Sequence, residues 1–182
     1  ATQHKYKIRS GWDKSHWNVS KDRLESIAEH VYGTCILALS IDSEFKTNLD
    51  INKVIKMLVL HELGEVIIGD ITPFDNITPE EKMIKEHEAM REVVGDLINQ
   101  KEFLSLLFEF DEKKTKEAIF AHHCDKLEAD IQAKVYQDMG CQHPLDEQEY
   151  NVVFKSNRVQ QMVKDGAQTA FDIWYEWDKS LY

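Results

Sequence analysis

Residues 57–68 read MLVLHELGEVII, a stretch that is apolar nearly all round at helical spacing and yet carries His61, Glu62 and Glu65. A helix that is hydrophobic on every side belongs at the centre of a fold, with other elements packed around it. Ionisable groups in such a place are costly unless they are paired or bind a metal. The wider segment DINKVIKMLVLHELGEVIIG has Asp50 as a candidate N-cap and Ile51, Val54, Ile55 and Leu58 on one face. It predicts one central helix running through the HELGE run.

The rest of the chain offers helices to surround it. SKDRLESIAEHVYGTCILALSI places Ile27, Val31, Cys35, Ile36 and Leu39 three and four apart, with Ser20 available as the cap. DITPFDN breaks the pattern and reads as a loop. Thr78 and Glu81 then form a capping box, with Pro79 at the first helical position of the next helix. KEFLSLLFEF is a short amphipathic helix, and a long one from KKTKEAIF onward is ended by Gly140. A final helix is expected from about Ser156, where Phe171, Trp174, Tyr175 and Trp177 recur at helical spacing as core or as a subunit interface. Seven glycines and three prolines in 182 residues are few turn-formers, no strand pair is convincing, and no repeat or linker divides the chain. The expectation is an all-α fold, one helical bundle of about six or more helices spanning residues 1–182.

A net charge of −11 offers no basic stripe for a nucleic-acid backbone, so a polymeric nucleic acid is excluded as the main partner. A small phosphorylated substrate stays open, provided that a metal ion holds the phosphate. Cys35, Cys124 and Cys141 are odd in number, lack CxxC spacing and read as reduced thiols. No apolar run approaches the roughly 20 residues of a membrane span, and ATQHKYKIRS has no signal-peptide character. These features predict a cytoplasmic protein without a membrane segment.

HELGE opens like the zinc-protease motif H-E-x-x-H, but its fifth position is Glu65, so that reading loses a ligand. On a helix His61 and Glu65 share a face and Glu62 turns about 100° away. The segment alone leaves two readings open, charged decoration of a helix or part of a metal site. His30 in ESIAEHVYG and Asp125 in HHCDKLEADIQA lie on two other predicted helices. Together with the His–acid pair they make a nitrogen and oxygen ligand set suited to a divalent metal.

The order His30, His61-Glu62, Asp125 resembles the H…HD…D pattern of the HD-domain metal-dependent phosphohydrolases, and most closely the small HD-domain 5′-deoxynucleotidases. RSGW at 9–12, SIAEHVYG at 26–33, HELGEVIIGDITPFDNITPEEK at 61–82, EAMREV at 88–93 and DKLEADIQA at 125–133 carry the likeness. The resemblance implies a single HD-domain bundle and a phosphohydrolase acting on nucleoside or deoxynucleoside 5′-monophosphates. It implies one divalent ion (Mn, Co, Fe, Zn or Mg) held by His30, His61, Glu62 and Asp125. It makes Glu65 the acid that positions or activates the attacking water. Asp70 becomes the acid that contacts the substrate sugar or orders the site, Arg9 a phosphate contact and Trp12 a wall around the nucleoside. It also implies a homodimer or higher homo-oligomer.

Two departures stand out. The family's His–Asp doublet is His61-Glu62 here, one methylene longer, and the span between RSGW and SIAEH is lengthened by DKSHWNVSKDRLE, with His16 and Trp17. Both raise the alternative of a nucleoside triphosphate or other small phosphate ester as substrate. The doublet also raises that of a non-catalytic, nucleotide-binding HD-like module. His122, His123 and Lys126 flank Asp125 and read as packing or solvated groups rather than as phosphate contacts.

Overall fold

The computed structural model describes residues 2–13, 17–71 and 77–141. Residues 72–76 of the expected loop, His16 of the longer N-terminal span and the expected C-terminal helix with its aromatic set lie outside the described residues.

Among the described residues the fold is all-α. Five helices have ten residues or more: α1 (Ile27–Phe45), α2 (Ile51–Leu60), α4 (Pro79–Val93), α5 (Gln100–Glu112) and α6 (Lys116–Asp138), while α3 (Glu65–Ile68) is a single turn and Gln3–Lys5 form a 3-10 turn. Among the described residues the expected six are reached only by counting α3, and the helix expected from about Ser156 lies outside them. No strand forms among these residues, though Ile8 and Ser26 make an isolated antiparallel bridge.

Local signals set most of the boundaries. Asp50 caps α2, accepting the Lys53 backbone N–H at 3.1 Å. Thr78 and Glu81 form the expected box at the start of α4, and Gly140 lies in the left-handed region just past α6. The start of α1 differs from expectation. Its cap is Ser26, in a capping box with Glu29, rather than Ser20; the Ser20 hydroxyl is used locally, donating to Asp22 at 2.6 Å. Ser26 is favoured because Glu29 stands three residues on and returns the bond, satisfying two otherwise free backbone donors.

The buried face of α1 also differs. Ile27, His30, Thr34, Leu37, Ala38 and Ile41 are buried, whereas Ile36 and Leu39 are 45% and 46% exposed. The face that packs inward carries a histidine and two small residues, which let neighbouring helices approach closely, and bulk hydrophobicity alone does not select it.

α2 is central, as predicted, and touches α1, α5 and α6. Val54, Met57 and Leu58 are fully buried there, each burial contributing about 1.5–3 kcal/mol. They join Leu37 and Ile41 of α1, Leu107 and Phe110 of α5, and Phe120, Cys124 and Leu127 of α6 in one core.

The predicted continuous helix through HELGE is instead broken. α2 stops at Leu60, residues 61–64 form turns, and α3 begins at Glu65. Bonds from Leu63 N–H to the Leu60 carbonyl (2.9 Å) and from Glu65 N–H to the Glu62 carbonyl (3.1 Å) show the tighter i→i+3 winding. Gly64 sits against α4, where a Cβ would meet the Glu86 carbonyl oxygen at 3.1 Å. The break falls at the site: His61 and Glu62 stand on this turn rather than within a regular helix, where adjacent residues point about 100° apart.

Candidate metal centre

Three segments converge at the ends of the broken helix. α1 brings His30, the turn after α2 brings His61 and Glu62, and α6 brings Asp125. One ligand atom from each of the four lies within 4.8 Å of all the others. His30 Nε2 is 3.1 Å from Asp125 Oδ1 and 3.8 Å from Glu62 Oε1. His61 Nε2 is 3.3 Å from Glu62 Oε1 and 3.7 Å from Asp125 Oδ1. The glutamate that replaces the usual aspartate therefore reaches the cluster.

The set fits a divalent cation. His61 Nδ1 is held 2.7 Å from the Leu58 carbonyl, which directs Nε2 into the cluster, and Nε2 is buried without a hydrogen-bond partner. Two imidazoles and two carboxylates suit the transition divalents. Charge points the same way. Burial opposes ionisation of Glu62, but His61, a hydrogen bond from Glu65 and Arg9 outweigh it and hold its carboxyl well below the usual range. Asp125 is likewise held well below its ordinary value, against burial, by Lys126 and the two histidines. Excess negative charge is met by protons in the neighbours. Glu65, buried and facing Glu62 and Asp70, is pushed up to about 11. His61 rises to about 10 because Glu62 and Asp125 outweigh burial. A bound cation displaces protons from its ligands.

An N-terminal arm closes one side. Lys7 donates to the Glu65 and Val66 carbonyls, both at 2.6 Å, and the Arg9 backbone N–H donates to the Glu25 carbonyl at 2.9 Å. These bonds carry the Arg9 guanidinium to 3.5 Å from Glu62 Oε1. The Ser10 N–H donates to Asp70 Oδ2 at 2.5 Å and its hydroxyl to the Asp70 carbonyl at 3.2 Å, so Asp70 ties the arm to the end of α3. Trp12 Nε1 donates to Glu25 Oε2 at 2.7 Å, and its ring meets Trp17 and Tyr136 edge-on, with centroids 5.0 and 5.3 Å away. Lys126 Nζ is 2.9 Å from Asp125 Oδ2, and the His122 ring packs edge-on to Phe110 at 5.9 Å.

Of the expected residues, His30, His61, Glu62 and Asp125 come together in one cluster, Glu65 and Arg9 border Glu62, Trp12 lies on the arm and Asp70 holds that arm through Ser10. Lys7, Glu25 and Glu128 were not foreseen. Glu128 stands one turn from Asp125 at i+3, the one local signal available, whereas Lys7 and Glu25 act through contacts that no local spacing records.

Glu25 yields a prediction. Burial and the nearby Glu128 push its carboxyl from 4.5 up to about 7, against the pull of His30, Arg9 and the Trp12 N–H. The folded state then keeps a proton that the unfolded chain has lost, so its contribution to stability is full below pH 4.5 and is lost as pH rises to about 7. Glu25→Gln cannot ionise. It is expected to match the natural protein near pH 4 and to exceed it by at most roughly 3–4 kcal/mol at pH 8, in urea unfolding with chelator present.

Comparison with known proteins agrees with this architecture. A 5′-deoxynucleotidase HDDC2 of Dictyostelium discoideum is 35% identical over 136 residues, covering 71% of this chain and 70% of that protein. The Homo sapiens protein of the same name is 33% identical over 133 residues, covering 72% and 62%, so the match spans under two thirds of its length. A solved structure, a conserved hypothetical protein from Pyrococcus furiosus, superimposes with a TM-score of 0.65 at 25% identity, covering 91% of this chain and 93% of that one. The HD domain family profile matches residues 1–170, and with the His30, His61-Glu62 and Asp125 cluster assembled on an all-α frame, the chain belongs to the HD-domain family.

Proposed function

We propose that the protein is a metal-dependent phosphohydrolase that releases phosphate from deoxynucleoside 5′-monophosphates, with residues 1–182 forming one HD domain. The observation that carries the reading is the convergence of His30, His61, Glu62 and Asp125 with buried Glu65 beside them. It is supported by relatives that are named 5′-deoxynucleotidases.

A divalent ion (Mn, Co, Fe, Zn or Mg) on those four side chains would supply Lewis acidity toward a phosphoryl oxygen and a water of lowered pKa. Glu65, ionised once a cation offsets the charge of Glu62, would orient the attacking water and take its proton as general base. As the new P–O bond forms, the ester bond to the nucleoside oxygen breaks, and the proton taken from water passes to that leaving oxygen, directly or through solvent, giving a nucleoside and inorganic phosphate. Arg9 steadies the charge on the phosphoryl oxygens through charge-assisted hydrogen bonds. Asp70 holds the arm through Ser10 and faces the sugar, and Trp12, fixed by Glu25, walls the nucleoside.

The acidic chain argues against a nucleic-acid polymer as partner. No described helix is long and apolar enough to cross a membrane, and three free cysteines fit a reducing cytoplasm. Tyr32, Ile36 and Leu39 form an exposed stripe on α1 that suits a homodimer.

The test is phosphate release from a panel of deoxy- and ribonucleoside 5′-monophosphates, 3′-monophosphates and triphosphates with Mn, Co or Mg. Preferred turnover of the deoxy 5′-monophosphates is expected. Preferred cleavage of triphosphates would contradict the assignment.

A further inference from the structure

His30 is fully buried, and its two ring nitrogens face two carboxylates of α6. Nε2 lies 3.1 Å from Asp125 Oδ1, while Nδ1 makes a short hydrogen bond with Glu128 Oε2. Asp125 and Glu128 are three residues apart and share a face of the helix. The proposed reaction has no step for Glu128, yet this largely buried carboxylate (13% exposed) is turned inward at a cost that its bond to His30 must offset.

A neutral imidazole has one N–H and one lone pair. With the N–H on Nδ1 held by Glu128, the lone pair is left on Nε2, the atom that faces His61, Glu62 and Asp125. α1 makes room for this contact. A Cβ at Gly33, one turn along from His30, would fall 2.6 Å from Glu128 Oε1, 3.0 Å from its Cγ and 3.1 Å from its Cδ. Any side chain there displaces the carboxylate.

Glu25, His30 and Glu128 also form a second set of potential ligands within 4.8 Å of one another. Glu25 Oε2, however, already accepts from Trp12 at 2.7 Å and faces Arg9 at 4.0 Å, and His30 Nδ1 is engaged by Glu128. The contacts favour orientation of His30 over a second cation.

We propose that Glu128 is a positioning residue for the metal centre: it accepts the Nδ1–H of His30, fixing the tautomer and ring orientation that present Nε2 to a divalent cation, and Gly33 keeps the space that this requires. The inference rests on reading His30, His61, Glu62 and Asp125 as the metal site.

Cobalt binding by full-length protein, followed by calorimetry and by the cobalt visible spectrum, tests it. Unfolding in chelator checks that each variant is folded. Outer partners of metal-bound histidines are worth about 10–100-fold in affinity, and Glu128→Ala should lose that much. Glu128→Gln, whose amide oxygen still accepts from Nδ1–H, should recover part of it. Gly33→Ala should approach the loss of Glu128→Ala, and the double variant should bind no more weakly than Glu128→Ala alone, because Gly33 acts through Glu128. Wild-type affinity in Glu128→Ala, or a full additional loss from Gly33→Ala in that background, overturns the proposal. Should Glu128→Ala not fold, wild-type affinity in both Glu128→Gln and Gly33→Ala overturns it equally. Wild-type protein that takes up no cobalt overturns the metal-site reading itself.

Discussion

Glu65→Gln is expected to lower kcat by roughly two to four orders of magnitude, the usual span for loss of a general base, while metal affinity stays within a few-fold of wild type. Glu65 opens α3 and is 4% exposed. It lies outside the set of four donors. Burial and its acidic neighbours give its carboxyl a high proton affinity, and in the metal-free site it donates a hydrogen bond to Glu62. A glutamine amide has the same shape and also donates, so the Glu62 contact and the local fold persist. What is lost is the ability to take a proton from water. A kcat loss at unchanged metal affinity separates this role from ligation. Near-wild-type turnover would remove Glu65 from the mechanism.

Asp125→Ala is expected to act on binding and stability together. Its carboxylate stands 3.1 Å from His30 Nε2, 3.7 Å from His61 Nε2 and 2.9 Å from Lys126 Nζ. Removing it takes away one of four ligands, so the loss of metal affinity should exceed the roughly 10–100-fold typical of an outer partner, and turnover should vanish with it. In the metal-free protein the same change leaves partners of a buried ion pair uncompensated, a class of lesion that costs about 3–5 kcal/mol. The half-exposed Lys126 can re-solvate, which places the expected value at the low end. Calorimetric metal titration and urea unfolding in chelator measure the two effects. Unchanged metal affinity would take Asp125 out of the centre.

Capping chemistry and apolar periodicity made much of the frame legible in the sequence. Asp50, Thr78 with Glu81, and Gly140 mark boundaries through their own backbone bonding, which depends on few neighbours. The four donors were legible through the His30, His61-Glu62, Asp125 order, and their convergence explains why polar groups interrupt an apolar segment. The break at residues 61–64 was not. MLVLHELGEVII has a helical pattern throughout, and the turn depends on Gly64 meeting the backbone of α4, a contact distant in sequence. The inward face of α1 was misread for a related reason. Ile36 and Leu39 outrank Thr34 and Ala38 in hydrophobicity, but small residues and a buried histidine decide which face can pack. Lys7 and Glu25 act through partners 58 and 13 residues away, beyond the reach of any local pattern, and Glu128, whose partner His30 is 98 residues away, leaves only its i+3 spacing from Asp125 as a trace.

The central claim is that one cation on His30, His61, Glu62 and Asp125 drives phosphomonoester hydrolysis. Its most direct test measures phosphate release from a deoxynucleoside 5′-monophosphate by chelator-stripped protein and by the same protein reloaded with Mn or Co, alongside the metal content of each sample. No turnover when stripped, recovery that saturates at one ion per chain, and no recovery by Asp125→Ala are the predicted results. Full turnover by metal-free protein, or a metal-loaded protein that releases no phosphate, would contradict the account.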